Sequence, residues 1–231
     1  ISPNEYSTEI FKRAFQFDKK IIESGYPRND YIVNNNNEKV INQIKQHLNI
    51  PLNKKVILYA PTWRDNHYYG PGRYKFDLEI DLNLLKKEIS EDYIIVLRMH
   101  YLIADDLDLT RYDRFVYDLS FYEDIRDLYL IADILITDYS SVFFDYATLL
   151  RPMIFYVYDI EEYRDFLRGF YIDFEEQAPG PLVKTTKEVI DEIRKIEKGY
   201  TDYNKIKEFA YRFSYLEDGK STERVVSQLN L

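Results

Sequence analysis

From residue 54 onward, short apolar runs alternate with longer stretches of helical periodicity, and this alternation restricts the fold more than any other feature of the chain. The apolar runs predict strands over 56–59, 93–97, 115–117, 134–136 and 153–157. The stretches between them predict helices over 82–89, 123–132 and 141–150. Strands alternating with helices build a mostly parallel sheet with right-handed crossovers and helices on both faces. The expected class is therefore α/β with a Rossmann-like parallel sheet.

Either side of this region the pattern is less regular. Ser2-Pro3-Asn4 reads as a turn, with Ser7 placed to cap a short helix through Phe15, and Gly25 to Asp30 as a rigid turn that aims Arg28. Asn34 to Asn37 offers an N-cap for a helix over 39–48. Residues 159–176 read as a loop rich in Tyr, Phe and Asp, followed by an edge-like strand at Leu182 and Val183. Thr185 and Glu188 have capping-box spacing and open a helix to about Glu197, and further helices are expected over 204–215 and 221–229. The chain starts at Ile1 with neither Met nor a signal-peptide pattern, so it is expected to be a piece of a longer protein.

Composition excludes several function classes. A net charge of −9 argues against a nucleic-acid binder and against a general basic surface for anionic lipid. The chain has no Cys, and its three His, at positions 47, 67 and 100, lack zinc spacing, so no resident metal is expected. Asp105, Asp106 and Asp108 read as a solvated loop. Asp133, Asp138, Asp145 and Arg151 interrupt the greasiest region, so no segment is expected to span a membrane.

In doubly wound sheets, ligands sit where strands turn into helices at their carboxyl ends. Three segments place polar residues there: Pro61-Thr62-Trp63-Arg64, Arg98-Met99-His100, and Thr137-Asp138-Tyr139-Ser140-Ser141. Ser140 stands at an N-cap position, and Ser141 and Asp145 share a helix face. The serines are either a phosphate cradle or a plain helix cap. His100 either meets an anion beside Arg98 or is a histidine at the core edge. Arg28 and Arg64 make either forked phosphate contacts or surface salt bridges. Neither a Walker lysine motif nor a Gly-rich dinucleotide fingerprint occurs, which excludes the common ATPases and dehydrogenases and leaves no cofactor expected.

Taken together, Gly25-Tyr26-Pro27-Arg28-Asn29-Asp30, Tyr59-Ala60-Pro61-Thr62-Trp63-Arg64, Arg98-Met99-His100, and Thr137 to Ser141 through Phe144-Asp145 resemble the motifs of the CDP-glycerol glycerophosphotransferases. The resemblance covers nearly the whole chain. It implies the C-terminal, donor-binding half of a GT-B glycosyltransferase-like architecture. Residues 1–30 would be a linker from a missing acceptor domain, and 31–231 the Rossmann-like CDP-glycerol domain.

It further implies transfer of glycerol phosphate from CDP-glycerol to a growing poly(glycerol phosphate) chain of wall teichoic acid, with release of CMP. The acceptor would be carried on a lipid at the cytoplasmic face of the membrane, and the missing part would dock there. Arg98 and His100 would hold the diphosphate, His100 as the catalytic residue, with Met99 between them. Ser140 and Ser141 would cradle phosphate oxygens, Pro61, Thr62 and Arg64 would line the pocket, Arg28 would reach in from the linker, and Asp145 would bind hydroxyls. The family's His-Gly-Thr motif has no counterpart here. Other readings are a GT-B nucleotide-sugar glycosyltransferase or epimerase and a non-catalytic nucleotide-binding regulatory module.

Overall fold

The computed structural model describes residues 1–62, 64, 68–70, 73, 74, 78–99 and 108–229, with backbone alone for 68–70, 73 and 74. Helices α1 (Glu5–Ala14), α2 (Asp30–Asn35) and α3 (Glu38–His47) lead to strand β1 (Lys55–Ala60). After a hairpin of β2 (Tyr68–Gly70) and β3 (Arg73–Tyr74) come α4 (Leu82–Ile89), β4 (Tyr93–Leu97), β5 (Val116–Asp118), α5 (Ile125–Ile131), β6 (Ile134–Thr137), α6 (Val142–Ala147) and β7 (Met153–Tyr156). Then follow α7 (Ile160–Glu162), α8 (Phe174–Gln177), β8 (Leu182–Val183), α9 (Thr186–Glu197), α10 (Tyr203–Phe213) and α11 (Ser221–Gln228).

Six strands form one sheet in the order β5-β4-β1-β6-β7-β8, and every described pairing in it is parallel. The chain lays down β1, moves outward through β4 and β5, then returns across β1 to place β6, β7 and β8 on the other side. This is the Rossmann order, with its reversal between β1 and β6. Ala60 pairs with Thr137 at that reversal. The expected α/β parallel sheet is therefore the observed one.

Period-two alternation sorts the strand side chains into two cores. Val56, Leu58, Ile94, Val96, Leu135 and Phe155 face one way, toward α5, α6 and α10. Ile57, Tyr59, Ile95, Leu97, Ile136 and Ile154 face the other, toward α4 and α9. Both sets are buried, which is why these strands read as continuous apolar runs. Fully burying one such side chain stabilises the fold by about 1.5–3 kcal/mol. Among the described residues no helix is long and apolar enough to cross a membrane.

Three local expectations change. Helix α1 is capped by Asn4, not Ser7: the Asn4 Oδ1 accepts the Ser7 N–H at 2.7 Å while its Nδ2 donates to the Phe213 carbonyl of α10 at 2.6 Å. Tertiary packing thus selects the cap. Helix α6 stops at Ala147 instead of reaching Leu150, because Leu150 adopts a left-handed φ of 53° before Arg151-Pro152. Pro152 disfavours helix at the residue before it. The expected loop over 159–176 contains α7, a π turn over Tyr163–Leu167 and α8. Stacking holds it: Tyr163 lies 4.0 Å from the Tyr139 ring, and Phe170 lies 4.8 Å from Phe174.

Candidate active site

The order in which the chain lays down its strands reverses between the parallel neighbours β1 and β6, and the segments leaving those strands meet there. Asp138, directly after β6, is the hub. Its Oδ1 accepts the Thr62 N–H at 2.8 Å, the Thr62 hydroxyl at 2.6 Å and the Tyr139 N–H at 2.6 Å, and its Oδ2 accepts Arg64 Nη1 at 3.0 Å. Arg64 also donates through Nε and Nη2 to Asp159 at 2.6 and 2.9 Å, and through Nη1 to the Thr62 carbonyl. Tyr139, Tyr158 and Tyr163 place their rings 5.1–5.4 Å from the guanidinium carbon.

Arg64 therefore differs from both sequence readings. Its side chain is 4% exposed and turned inward, so the fork expected for phosphate is spent on Asp159. Burial works against its charge, but Asp159 and Asp138 hold its pKa above the ordinary value. Burial lifts the Asp138 carboxyl, while Arg64 and the Thr62 donors pull it back. Four donors on one carboxylate favour the ionised pair. Asp138 and Asp159 were not among the expected site residues; the signal for Asp138 was an acid set directly after a buried strand.

One turn into α6, Asp145 accepts Arg28 Nε and Nη2, both at 3.1 Å, and Asn29 Nδ2 at 3.0 Å. Arg28 also stacks 3.8 Å over the Tyr26 ring, and half of its side chain stays exposed. Burial opposes its charge, and the Asp145 contact raises its pKa. The structure thus joins two residues that the sequence singled out separately. A cavity of about 410 Å³ opens beside them, lined by Arg28, Asn29, Ser141 and Asp145 together with many aromatic side chains, Phe144 and Phe213 among them.

At the end of β4, Arg98 Nη1 donates to the carbonyls of Leu119, Ser120 and Tyr122 at 2.9, 2.8 and 2.5 Å. It has no acidic partner among the described residues, and burial lowers its pKa. A half-buried guanidinium held by dipoles alone is a site of uncompensated positive charge. Met99 is buried, and its N–H donates to Ser120 Oγ at 3.0 Å. Tyr129 of α5 is buried. Burial raises its hydroxyl pKa, the Asp145 charge adds to that, and the Arg28 and Arg98 charges act against it.

Ser141 takes the N-cap position of α6, but its side chain makes no capping hydrogen bond. Ser140 is half-buried and Ser141 exposed. Their hydroxyls engage no partner among the described residues, so the cap reading of this pair is not what the structure holds. Pro61 is half-buried beside Thr62. His100 lies outside the described residues, as do Trp63, His67, Asp105 and Asp106.

The model of the family described as CDP-Glycerol:Poly(glycerophosphate) glycerophosphotransferase matches residues 1–231. The chain belongs to this family. It is 61% identical over 230 residues to the teichoic acid poly(glycerol phosphate) polymerase of Bacillus subtilis (strain 168), covering 98% of this chain and 31% of that protein. It is 57% identical over 229 residues to the protein of the same name from Bacillus spizizenii (strain ATCC 23059 / NRRL B-14472 / W23), covering 99% of this chain and 58% of that one. The solved structure of the wall teichoic acid polymerase TagF superposes with a TM-score of 0.91 at 47% identity, over 99% of this chain and 56% of that chain. This chain thus spans less than two thirds of the length of each of these relatives. Their likeness extends over its whole strand-end site.

Proposed function

We propose that this chain supplies the donor half of an enzyme that transfers glycerol phosphate from CDP-glycerol to poly(glycerol phosphate) of wall teichoic acid and releases CMP. Family membership supports the reaction class. The observation that carries the site assignment is the Arg28–Asp145 pair set with Ser141 on the wall of one cavity at the start of α6, together with Arg98 at the end of β4, a half-buried cation without an acidic partner among the described residues. A diphosphate suits strand ends that offer two cations and unpaired hydroxyl donors.

In this reading Arg98 and Arg28 take the diphosphate oxygens, Ser140 and Ser141 donate to phosphate, and Pro61 and Thr62 line the nucleotide side with Met99 packed beneath. Asp145 holds Arg28 and accepts from donor hydroxyls. Arg64 acts on the site through Asp138, by fixing the Thr62 and Tyr139 backbone. The acceptor hydroxyl oxygen attacks the glycerol-bearing phosphorus in line, and a new P–O bond forms as the bridging P–O bond breaks. The electron pair leaves on CMP, whose growing charge the cations and His100 stabilise, and the acceptor proton passes to a base on the acceptor side. Positioning and electrostatics supply most of the rate.

The acceptor is taken to be polymer on a lipid carrier at the cytoplasmic face of the membrane. Docking there falls to the sequence that the longer relatives carry and this chain does not span. Calorimetry with CDP-glycerol, CMP and a UDP-sugar tests the reading. Tightest binding of CDP-glycerol is expected; a preference for the UDP-sugar overturns it.

A further inference from the structure

The loop that leaves β5 carries the three carbonyls that hold Arg98, and the last of them belongs to Tyr122. Tyr122 accepts Arg98 Nη1 on its carbonyl at 2.5 Å and donates its hydroxyl to Oδ2 of Asp127, in the first turn of α5, at 2.7 Å. The other oxygen of the same carboxylate, Oδ1, accepts the Tyr31 hydroxyl at 2.8 Å. A carboxylate only accepts, so both tyrosines donate and each oxygen takes one.

Tyr31 is the second residue of α2, and α2 continues directly from the turn at 27–29 that presents Arg28, where the Asp30 N–H donates to the Pro27 carbonyl. Asp127 is therefore joined to both cations expected to face the donor, to Arg98 through Tyr122 and to Arg28 through the head of α2.

Arg98 depends on such a joint more than a paired arginine would. It has no acidic partner among the described residues, so the carbonyls of Leu119, Ser120 and Tyr122 set its direction. The first part of that loop is held from within: Asp118 Oδ1 accepts the Ser120 N–H at 2.9 Å and the Ser120 hydroxyl at 2.6 Å, and Ser120 Oγ accepts the Met99 N–H. The Tyr122 side chain is held from outside, by Asp127. Hydrogen bonds to an ionised carboxylate are about twice as strong as neutral ones. The arginine next to Asp127 in sequence is engaged elsewhere, since Arg126 pairs with Asp124 at 2.6 Å and lies 4.7 Å over the Tyr31 ring.

We propose that Asp127 is a positioning residue for the donor site: by taking the Tyr31 and Tyr122 hydroxyls on its two oxygens it sets the Arg28 turn and the Arg98 loop relative to one another. The inference rests on the reading of Arg28 and Arg98 as donor-site residues. Asp127 touches no part of the donor; it acts through the two tyrosines.

The test measures CDP-glycerol binding by calorimetry on the complete enzyme with Tyr122→Phe, Tyr31→Phe, Asp127→Ala and Asp127→Asn. Phenylalanine keeps each ring, which packs against the core, and removes only the hydroxyl. Each phenylalanine variant is expected to weaken the donor about threefold to tenfold, and Asp127→Ala, which loses both bonds, by about tenfold to thirtyfold. Asparagine can accept from one tyrosine and donate to the oxygen of the other, so Asp127→Asn should recover about fivefold of the affinity lost in Asp127→Ala.

Double-mutant cycles separate positioning from a plain loss of stability. Once Arg98→Ala is in place, adding Tyr122→Phe should cost less than about twofold, and Tyr31→Phe should likewise lose its effect in the Arg28→Ala background. Effects of Tyr122→Phe and Arg98→Ala that simply multiply overturn the proposal, and so does an Asp127→Ala variant that binds as tightly as the unaltered enzyme. Arg28→Ala and Arg98→Ala variants that both keep full affinity would instead remove the donor reading, and the proposal with it.

Discussion

Arg64 and Asp138 form an ion pair at 3.0 Å across 74 residues of sequence, with side chains only 4% and 3% exposed, and so bind the end of β1 to the end of β6. Asp159 takes the other edge of the same guanidinium, which brings the end of β7 into the arrangement. The floor of the candidate site is therefore a three-residue charge cluster that water barely reaches. Such a cluster contributes geometry more than net stability, because the desolvation it needs offsets most of the attraction.

Breaking it from one side should be severe. Arg64→Ala leaves Asp138 and Asp159 buried without a cation, and we expect a loss of about 3–5 kcal/mol. Arg64→Lys should recover little, since one ammonium cannot reproduce the fork between two carboxylates. Denaturant unfolding at neutral pH measures both, and a loss within about 1 kcal/mol would contradict the buried-pair account.

Arg98 should matter to ligand more than to fold. Arg98→Ala removes a cation that has no acidic partner among the described residues. CDP-glycerol affinity is expected to drop by about tenfold to a hundredfold, the scale of one or two charge-assisted hydrogen bonds. Calorimetry reads this directly, and unchanged affinity would remove Arg98 from the site.

For His100 the expectation concerns rate. In the complete enzyme, His100→Ala should cut turnover far more than it loosens the donor, because a group that stabilises developing charge acts in the transition state. Steady-state kinetics set against equilibrium donor binding separates the two. Turnover within about twofold of the parent would rule the assignment out.

Asp30 sits at the start of α2 yet caps α11, accepting the Ser221 and Thr222 N–H groups at 2.8 and 2.7 Å. Burial works to raise its pKa, but these donors hold it below the ordinary value. Asp30→Ala should cost about 1 kcal/mol at neutral pH. A carboxyl with a lowered folded pKa contributes above its unfolded value and loses that contribution as pH falls. The stability gap between the two proteins should thus close below about pH 4, in unfolding curves taken across that range.

Much of the fold was legible because it depends on short-range periodicity. β4 occupies the expected 93–97, α4 the expected 82–89, and the Thr185–Glu188 capping box opens α9. The π turn and α8 were not legible, because what orders them is ring stacking against Tyr139 and Phe143 of another element. In the site, Arg28, Arg98, Ser140, Ser141 and Asp145 could be singled out by their places at turns and strand ends. Their partners could not. An arginine after a proline turn looks the same whether its fork meets a phosphate, as expected for Arg64, or a buried aspartate.

The sequence by itself determined the alternation of strands and helices, the two-sided burial of the sheet and the family to which the chain belongs, since each is written in local pattern or in contiguous motifs. Only the tertiary structure decided that β6 lies beside β1, that Arg64 turns inward to Asp138 and Asp159, and that Glu217 reaches Tyr26 across 191 residues. The physical reason is the range of the interactions. Periodicity is settled among neighbours in the chain, whereas buried charges and orphan acceptors are settled by whatever strand order brings against them.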